Sequence, residues 1–336
     1  MLDARKAAIL RRVVEAHIET AQPVGSVHVV QDPGIDVSPA TVRSDMAALE
    51  REGYLTHPHT SAGRIPTDKG YRFFVDHFAD AAALDPASEE QIAAFFGRTH
   101  GAIEQMLRDT TRLLSELTDH AAVVVPPAHD TLALVSLLLT RLSPRLGLLV
   151  LVLSNGVVEK CTVELDEAST EDDLEAVNRH LRQHACGQVL GHLQPCPPTG
   201  KAHLDDLVEA CQRVLVETRR TMPLDEEVYV GGTARMAEQF AAVDTVRAVL
   251  SILEQSFVVV SLLHDVLSQG QTVAIGAENG LASLVECSLV VAPYRVGDEV
   301  VGTIGVLGPT RMDYSQALAT VAVVSRRLGR ELAAGG

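Results

Sequence analysis

The stretch SPATVRSDMAALEREGYL, residues 38–55, reads as one amphipathic helix with both of its ends marked. Ser38 suits the N-cap, where a hydroxyl accepts from a free backbone N–H, and Pro39 suits the first helical position, which needs no N–H. Gly53 ends the helix, because glycine enters the left-handed conformation without a Cβ penalty. At about 100° per residue, Val42, Met46 and Leu49 share one face and point inward. Pro39, Ala40, Arg43, Ser44, Ala47 and Arg51 cluster on the opposite face. A wet face of small residues with one arginine and one serine suits a DNA major groove, since it allows close approach and reach to base edges or phosphates.

Working outward, Ile9, Leu10, Val13, Val14 and Ile18 fall at helical spacing within residues 4–20 and predict a first helix. PVGS breaks it, and Ser26 is expected to N-cap a short second helix, SVHVVQD. Beyond Gly53, YLTHPHT and RIPT read as two short strands around the turn SAG, and Thr67 is placed to cap a fourth helix, DKGYRFFVDHF. Helix, helix, helix and then a small β-hairpin is the winged variant of the helix-turn-helix. Gly63 and its small neighbours are expected to let the wing backbone pass close to DNA. Arg64 is placed to enter a minor groove or to pair with phosphate. The bland alternative is that an arginine on a wet helix face is common anywhere, and that winged helices also serve as protein-contact modules.

Charge is unevenly spread. The formal total is −16, yet residues 1–80 hold nine Arg/Lys against eleven Asp/Glu, a net −2, leaving −14 on the remaining 256 residues. Within HPHTSAGRIPTDKGYR, Arg64, Lys69 and Arg72 stand against Asp68 alone, and His57 and His59 add donors. A local basic stripe is what phosphate contact needs, and an acidic remainder disfavours DNA elsewhere on the molecule.

The rest of the chain reads as α+β. DAAALDPASEEQ is a link with a helix start at Ser88, followed by a long helix over 102–118. AAVVV, LALVSLLL, LGLLVLVL and VVEKCTVEL predict an antiparallel meander, with Asn155-Gly156 as its clearest hairpin turn. From about 166 helices dominate, one capped near Thr170 and another over 203–218; PLDEEVYVGGT reads as strand and turn, and Asp244 is placed to cap TVRAVLSILEQ. Strands return in QTVAIGAEN, ECSLVVAPYRV and EVVGTIGVLG, the last two joined at Gly297-Asp298, before a final helix, SQALATVAVVSRRLGREL. Strands before 166 and after 270 with helices between suggest one domain interrupted by an insertion.

Other chemistry is weighed and set aside. No apolar run reaches the ~20 residues of a membrane span, and the charged N-terminus lacks a signal-peptide pattern, so a cytoplasmic protein is expected. The five cysteines are irregularly spaced, without a CxxC pair, and read as reduced buried thiols. GTIGVLGPT lacks the Lys-Ser/Thr of a P-loop. His180, His184, Cys186, His192, Cys196 and His203 resemble a zinc donor set but fit no standard finger spacing, so no metal and no cofactor are assigned. Asn279, Tyr294, Arg311 and Asp313 lie near predicted strand ends. They suit either a ligand pocket or structural work such as capping the last helix, and the latter is favoured.

Two stretches carry a resemblance. VSPATVRSDMAALEREGYL with HTSAGRIPTDKGYRFFVD, and GAENGLASLVECSLVVAPYRVGDEVVGTIGVLGPTRMDYSQ, resemble the heat-inducible transcription repressor family HrcA. The resemblance is strong at both ends and weak in the middle. It implies a multidomain α+β fold: a winged helix-turn-helix over 1–82, a GAF-like α+β domain over 83–165 and 250–336, and an inserted α/β dimerisation domain over 166–249. It also implies a non-enzymatic homodimer that represses the groE and dnaK operons at a CIRCE-type inverted repeat of double-stranded DNA and depends on the GroEL chaperonin. The DNA-contacting set is Ser38, Ala40, Thr41, Arg43, Ser44, Ala47, His59, Gly63, Arg64, Lys69 and Arg72. In it, Arg43 and Ser44 read bases with Thr41 nearby, while Arg64, Lys69 and Arg72 mainly hold phosphates. The alternatives are a ligand-sensing regulator with a small-molecule site in the GAF-like domain and, last, a zinc-dependent enzyme.

Overall fold

The computed structural model describes residues 2–58, 63–79, 84–98, 103–127, 133–154, 158–221, 228–240 and 242–334. Its first unit is built from α1 (Ala4–Thr20), α2 (Ser26–Val29), α3 (Pro39–Arg51), β1 (Leu55–Thr56), β2 (Ile65–Pro66) and α4 (Asp68–Phe78). The starts of α3 and α4 follow the expected caps: Ser38 accepts from Thr41 N, and Thr67 from Gly70 N. The second helix differs. Gly25 holds the cap position, Ser26 is already helical, and the helix stops after Val29. Asp32 then accepts from Gly34 N (2.8 Å), an Asx turn around Pro33 that ends helical bonding. The two strands pair antiparallel, Leu55 opposite Pro66, and are shorter than the sequence suggests. Ile9, Leu10, Val13 and Val14 of α1 are buried with Val42, Met46 and Leu49 of α3.

Beyond α4 come α5 (Pro86–Phe96), α6 (Ile103–Thr118) and β3 (Ala121–Val125). Asp85, not Ser88, caps α5, accepting from Ala87 and Ser88 N. Next are β4 (Leu134–Ser143), β5 (Leu146–Leu153), β6 (Val158–Glu164), α7 (Glu171–His184) and α8 (Ala202–Thr221). Then β7 (Tyr229–Gly231), α9 (Thr233–Glu238), α10 (Val243–Leu253) and α11 (Ser256–Ser268) lead to β8 (Val273–Ile275), β9 (Cys287–Val296), β10 (Glu299–Pro309) and α12 (Tyr314–Ala334). Thr170 and Asp173 form the capping box of α7. Asp244 lies inside the first turn of α10, and Ala242 holds its cap position. Gly297, at φ 61°, sits in the two-residue hairpin between β9 and β10, as expected. The Asn155-Gly156 turn lies outside the described residues.

A five-stranded antiparallel sheet runs in the order β7-β3-β10-β9-β8. Alternate residues serve its two faces. Ala122, Val124, Ile304 and Val306 pack toward α6 and α12, while Ala121, Val123, Leu289 and Leu307 pack toward α9, α10 and α11. A sheet covered on both faces reads as continuous apolar runs, which is why AAVVV shows no alternation.

The division of the chain differs from the expected one. Strands β4, β5 and β6 pair with each other and not with the larger sheet. One face of their sheet, with Leu137, Leu139, Leu149 and Leu151, builds a separate core with Leu174, Val177 and Leu181 of α7 and Leu207 and Cys211 of α8. Strand β7 instead joins β3, and α9 and α10 pack on the larger sheet. The interrupting unit therefore runs from β4 to α8, rather than over 166–249. Periodicity identifies strands but carries no record of their partners. The edge of β4 is closed from within: Asn178 donates to Leu139 O (2.8 Å) and accepts from Leu139 N (2.7 Å). No single helix among the described residues is long and apolar enough to cross a membrane.

His120, just before β3, is buried, and Gly308 packs so tightly on its ring that a Cβ there would lie 2.6 Å from Nδ1. Burial pushes its pKa down to about 4, against smaller upward effects of Gln239 and Asp119. The unfolded chain then binds a proton that the folded one refuses, so stability is full above the ordinary value of 6.5 and falls as pH drops toward 4. Urea midpoints are expected to show about 2 kcal/mol of extra loss between about pH 6.5 and pH 5 that His120→Gln removes.

Candidate nucleic-acid interface

Helix α3 presents the expected wet face. Ser38, Pro39, Ala40, Arg43, Ser44 and Arg51 are exposed, and Thr41 and Ala47 are half-buried beside them. Ser38 Oγ lies 3.0 Å from Thr41 Oγ1 and caps the helix, so both hydroxyls are held in place at its N-terminal end. Arg51 turns back on its own helix, its Nε 3.4 Å from Ala47 O. Arg43 has no ion pair or hydrogen bond among the described residues. A cation on this face without a competing carboxylate is available to an incoming anion.

The inner face holds what the apolar stripe alone conceals. Asp45 is buried there and paired with Arg5 of α1, its Oδ2 2.8 Å from Nε. The signal was present: Asp45 falls on the stripe Val42–Met46–Leu49 at i, i+3, i+4 and i+7, and an acid on a buried stripe demands a partner. Glu50 is the second residue that pattern reading missed. Its carboxylate binds His57 past β1 and Arg64 before β2, the latter at 2.7 Å. One acid on α3 thus holds both arms of the strand pair, and Arg64 is oriented by it. His57 and Arg64 lie 7 and 14 residues beyond Glu50, a relation with no local periodicity.

The remaining expected residues divide. Lys69 is exposed; it donates to Glu52 O (2.8 Å) at the C-terminal end of α3 and stacks over Tyr54 at 4.3 Å. This position stays beside α3. Arg72, expected among the phosphate contacts, does not: its guanidinium is engaged by Glu278 and donates to Val273 O (2.8 Å) across the contact with the larger sheet. Gly63 has a reason other than DNA approach. Val24 and Arg64 form an isolated bridge, N to O at 2.9 Å both ways, and a Cβ on Gly63 would lie 2.5 Å from Val24 O. His59 lies outside the described residues.

The polar residues weighed for a pocket do structural work. Asn279 donates to Gly276 O and Cys287 O (2.9 Å each), Tyr294 to Val125 O (2.7 Å), and Arg311 to Gln239 O (2.7 Å). Asp313 accepts from Gln316 N (3.0 Å) at the start of α12. In the histidine-cysteine run, His180 Nε2 meets Pro197 O (2.7 Å) and His203 meets Asp173 (3.1 Å). Among the described residues no group of three or more His, Cys, Asp or Glu is placed to hold a metal ion.

Comparison with known proteins adds four matches. A family model described as HrcA protein C terminal domain matches residues 104–318. A heat-inducible transcription repressor HrcA of Nocardioides sp. is 38% identical over 99% of this chain and 99% of its own. Another, from Kineococcus radiotolerans, is 38% identical over 99% of this chain and 100% of its own. Among solved structures, a crystal structure of a hypothetical protein superposes with a TM-score of 0.63 at 23% identity, covering 100% of this chain and 99% of that one, and shares its fold.

The close approach at Gly63 makes a testable demand on the first unit. Gly63→Ala is expected to lower its stability by about 1–3 kcal/mol, the usual effect of overpacking, seen as a lower thermal midpoint; an unchanged midpoint would show that the bridge to Val24 yields freely.

Proposed function

The chain belongs to the HrcA family of heat-inducible transcription repressors, a family of regulators rather than enzymes, and from that premise we propose that residues 1–82 form a winged helix-turn-helix that binds double-stranded DNA. The observation that carries this reading is the face of α3: small exposed residues around an Arg43 that has no partner among the described residues. Arg43 and Ser44, with Thr41, read base edges in the major groove, and Ala40 and Ala47 allow the helix to sit close. Ser38 lies at the N-terminal end of the helix, the end that points toward phosphate. Arg64, steadied by Glu50, and Lys69 hold phosphates, Gly63 belongs to the wing, and His59 is proposed as a further DNA contact.

The target is a CIRCE-type inverted repeat ahead of the groE and dnaK operons, bound in the cytoplasm by a homodimer whose two-fold axis matches that of the DNA. The five-stranded sheet with its flanking helices is the GAF-like domain, and β4 to α8 is the dimerising insertion. The outer face of the insertion's sheet supports that role. Leu138, Val150 and Leu148 lie there beside Val152 and Val158, with Leu138 44% and Val158 51% exposed and no helix over them among the described residues. An apolar patch of this kind, edged by Ser136, Thr140, Lys160 and Thr162 on the same face, fits a second copy of itself. Val150→Lys is expected to leave a folded monomer that has lost its preference for the repeat; a dimer of unchanged strength in sedimentation would place the contact elsewhere.

GroEL is proposed as the partner that keeps the repressor active, stress diverting it and releasing transcription. Family membership supports this, as does a fold whose larger sheet needs strands from distant segments, the sort that exposes apolar surface while folding. The experiment is salt-dependent binding to the repeat and to a scrambled duplex, after dilution from denaturant with and without GroEL. GroEL is expected to raise the bound fraction, and a steep salt slope with preference for the repeat marks a sequence reader. In the same assay Arg43→Ala costs about 1–3 kcal/mol on the repeat and relaxes specificity, whereas Lys69→Ala weakens all duplexes alike and flattens the salt slope by about one. Equal loss on both duplexes for Arg43→Ala would sink its role as a base reader.

A further inference from the structure

Helix α4 joins the first unit to the larger sheet through a contact that none of the DNA-facing residues needs. Arg72 Nε donates to Glu278 Oε1 (3.0 Å), its Nη2 meets the other carboxylate oxygen, and the same nitrogen donates to Val273 O (2.8 Å). Glu278 is held in turn by Ile275 N (2.9 Å). One turn earlier on α4, Asp68 accepts from Ala277 N (3.0 Å). Gly276, at φ +53°, permits that approach, since a Cβ there would lie 2.2 Å from the Asp68 carboxylate. Between these polar contacts Tyr71 is buried against Tyr314, ring centroids 6.0 Å apart, with its hydroxyl 2.6 Å from His17 Nδ1.

The other side of α4 is fixed to α3. Thr67 caps α4 and donates to Gly53 O (2.7 Å), and Lys69 donates to Glu52 O (2.8 Å). A Cβ on Gly70 would lie 2.2 Å from Tyr54 O, so the turn after α3 presses directly on α4. The orientation of α3 is thereby passed through α4 to the sheet.

We infer that Arg72 and Glu278 are positioning residues that set the half-site spacing the dimer accepts, by holding each recognition helix at a fixed place on its sheet domain. This rests on the reading of the protein as a dimer on an inverted repeat. Adding one base pair between half-sites moves one of them by about 3.4 Å and turns it by about 35°. A second recognition helix adds roughly 10²–10⁴ in avidity only when both sites can be reached at once. A clamped junction converts that geometry into a spacing code, and a loosened one follows the DNA.

The test measures binding of the full-length protein to the CIRCE-type repeat with its natural spacer, with spacers changed by one, two and five base pairs, to a single half-site and to a scrambled duplex. Arg72→Ala and Glu278→Gln are compared with wild type, and Arg72→Lys serves as the conservative variant. Wild type is expected to lose at least about tenfold in affinity at altered spacers. Arg72→Ala flattens this to within about twofold with single half-site binding unchanged, and Arg72→Lys keeps part of the preference. Glu278→Gln, outside the proposed DNA-contacting set, moves the same way and decides the matter if Arg72→Ala does not fold. A loss on the single half-site equal to that on the repeat would make Arg72 a phosphate contact and overturn the inference, as would an unchanged spacing preference. Wild type that prefers the repeat at every spacer equally overturns this inference alone. Wild type that binds repeat and scrambled duplex alike overturns the proposed function as well.

Discussion

The pairing of β3 with β10, Val124 opposite Ile304, is the constraint on which the rest of the architecture depends. It joins two strands separated by more than half of the chain. The entropy of closing a loop grows only logarithmically with its length, so a long excursion between paired strands is tolerated. What such an excursion needs is a core of its own, and β4, β5 and β6 with α7 and α8 provide one. The larger sheet is left free to be covered on both faces.

The same pairing determines where α12 begins. β10 ends at Pro309, and the turn through Arg311 and Asp313 launches α12 across the face that also receives α6 and α4. Tyr314 then lies beside Tyr71 and hydrogen-bonds Ser288 (2.8 Å), so the apolar core runs from α1 and α3 into the sheet without a break. The stretches DKGYR, GAEN and PTRMDY, far apart in the chain, meet at this one junction. Their polar groups bind each other or the backbone, which explains why so many charged and aromatic residues there are only partly exposed or buried.

Electrostatics follows the same partition. Most acidic charge lies outside the first 80 residues, and within the first unit the two carboxylates of α3 itself are already paired. Asp45 is paired with Arg5, and Glu50 with Arg64 and His57. Arg43 keeps its charge available because those acids are occupied. The order of burial, not the total charge, makes an acidic protein compatible with an anionic partner.

By itself the sequence determined the ends of α3 and α4, the hairpin at Gly297, the helix cap at Thr170 and the wet face of α3. All of these are encoded within a few residues by caps, glycines and a 3.6-residue period, and no distant contact is required to select them. The place of Asp45 on a buried stripe signals the need for a partner but not which one. Only the tertiary structure decided which strands share a sheet, that Arg72 turns to Glu278 at a separation of 206 residues, and that Gly63 lies tight against the Val24 backbone. The physical reason is that strand period and side-chain charge describe what a segment can bind, whereas its partner is chosen by the packing of segments that meet only in the folded chain.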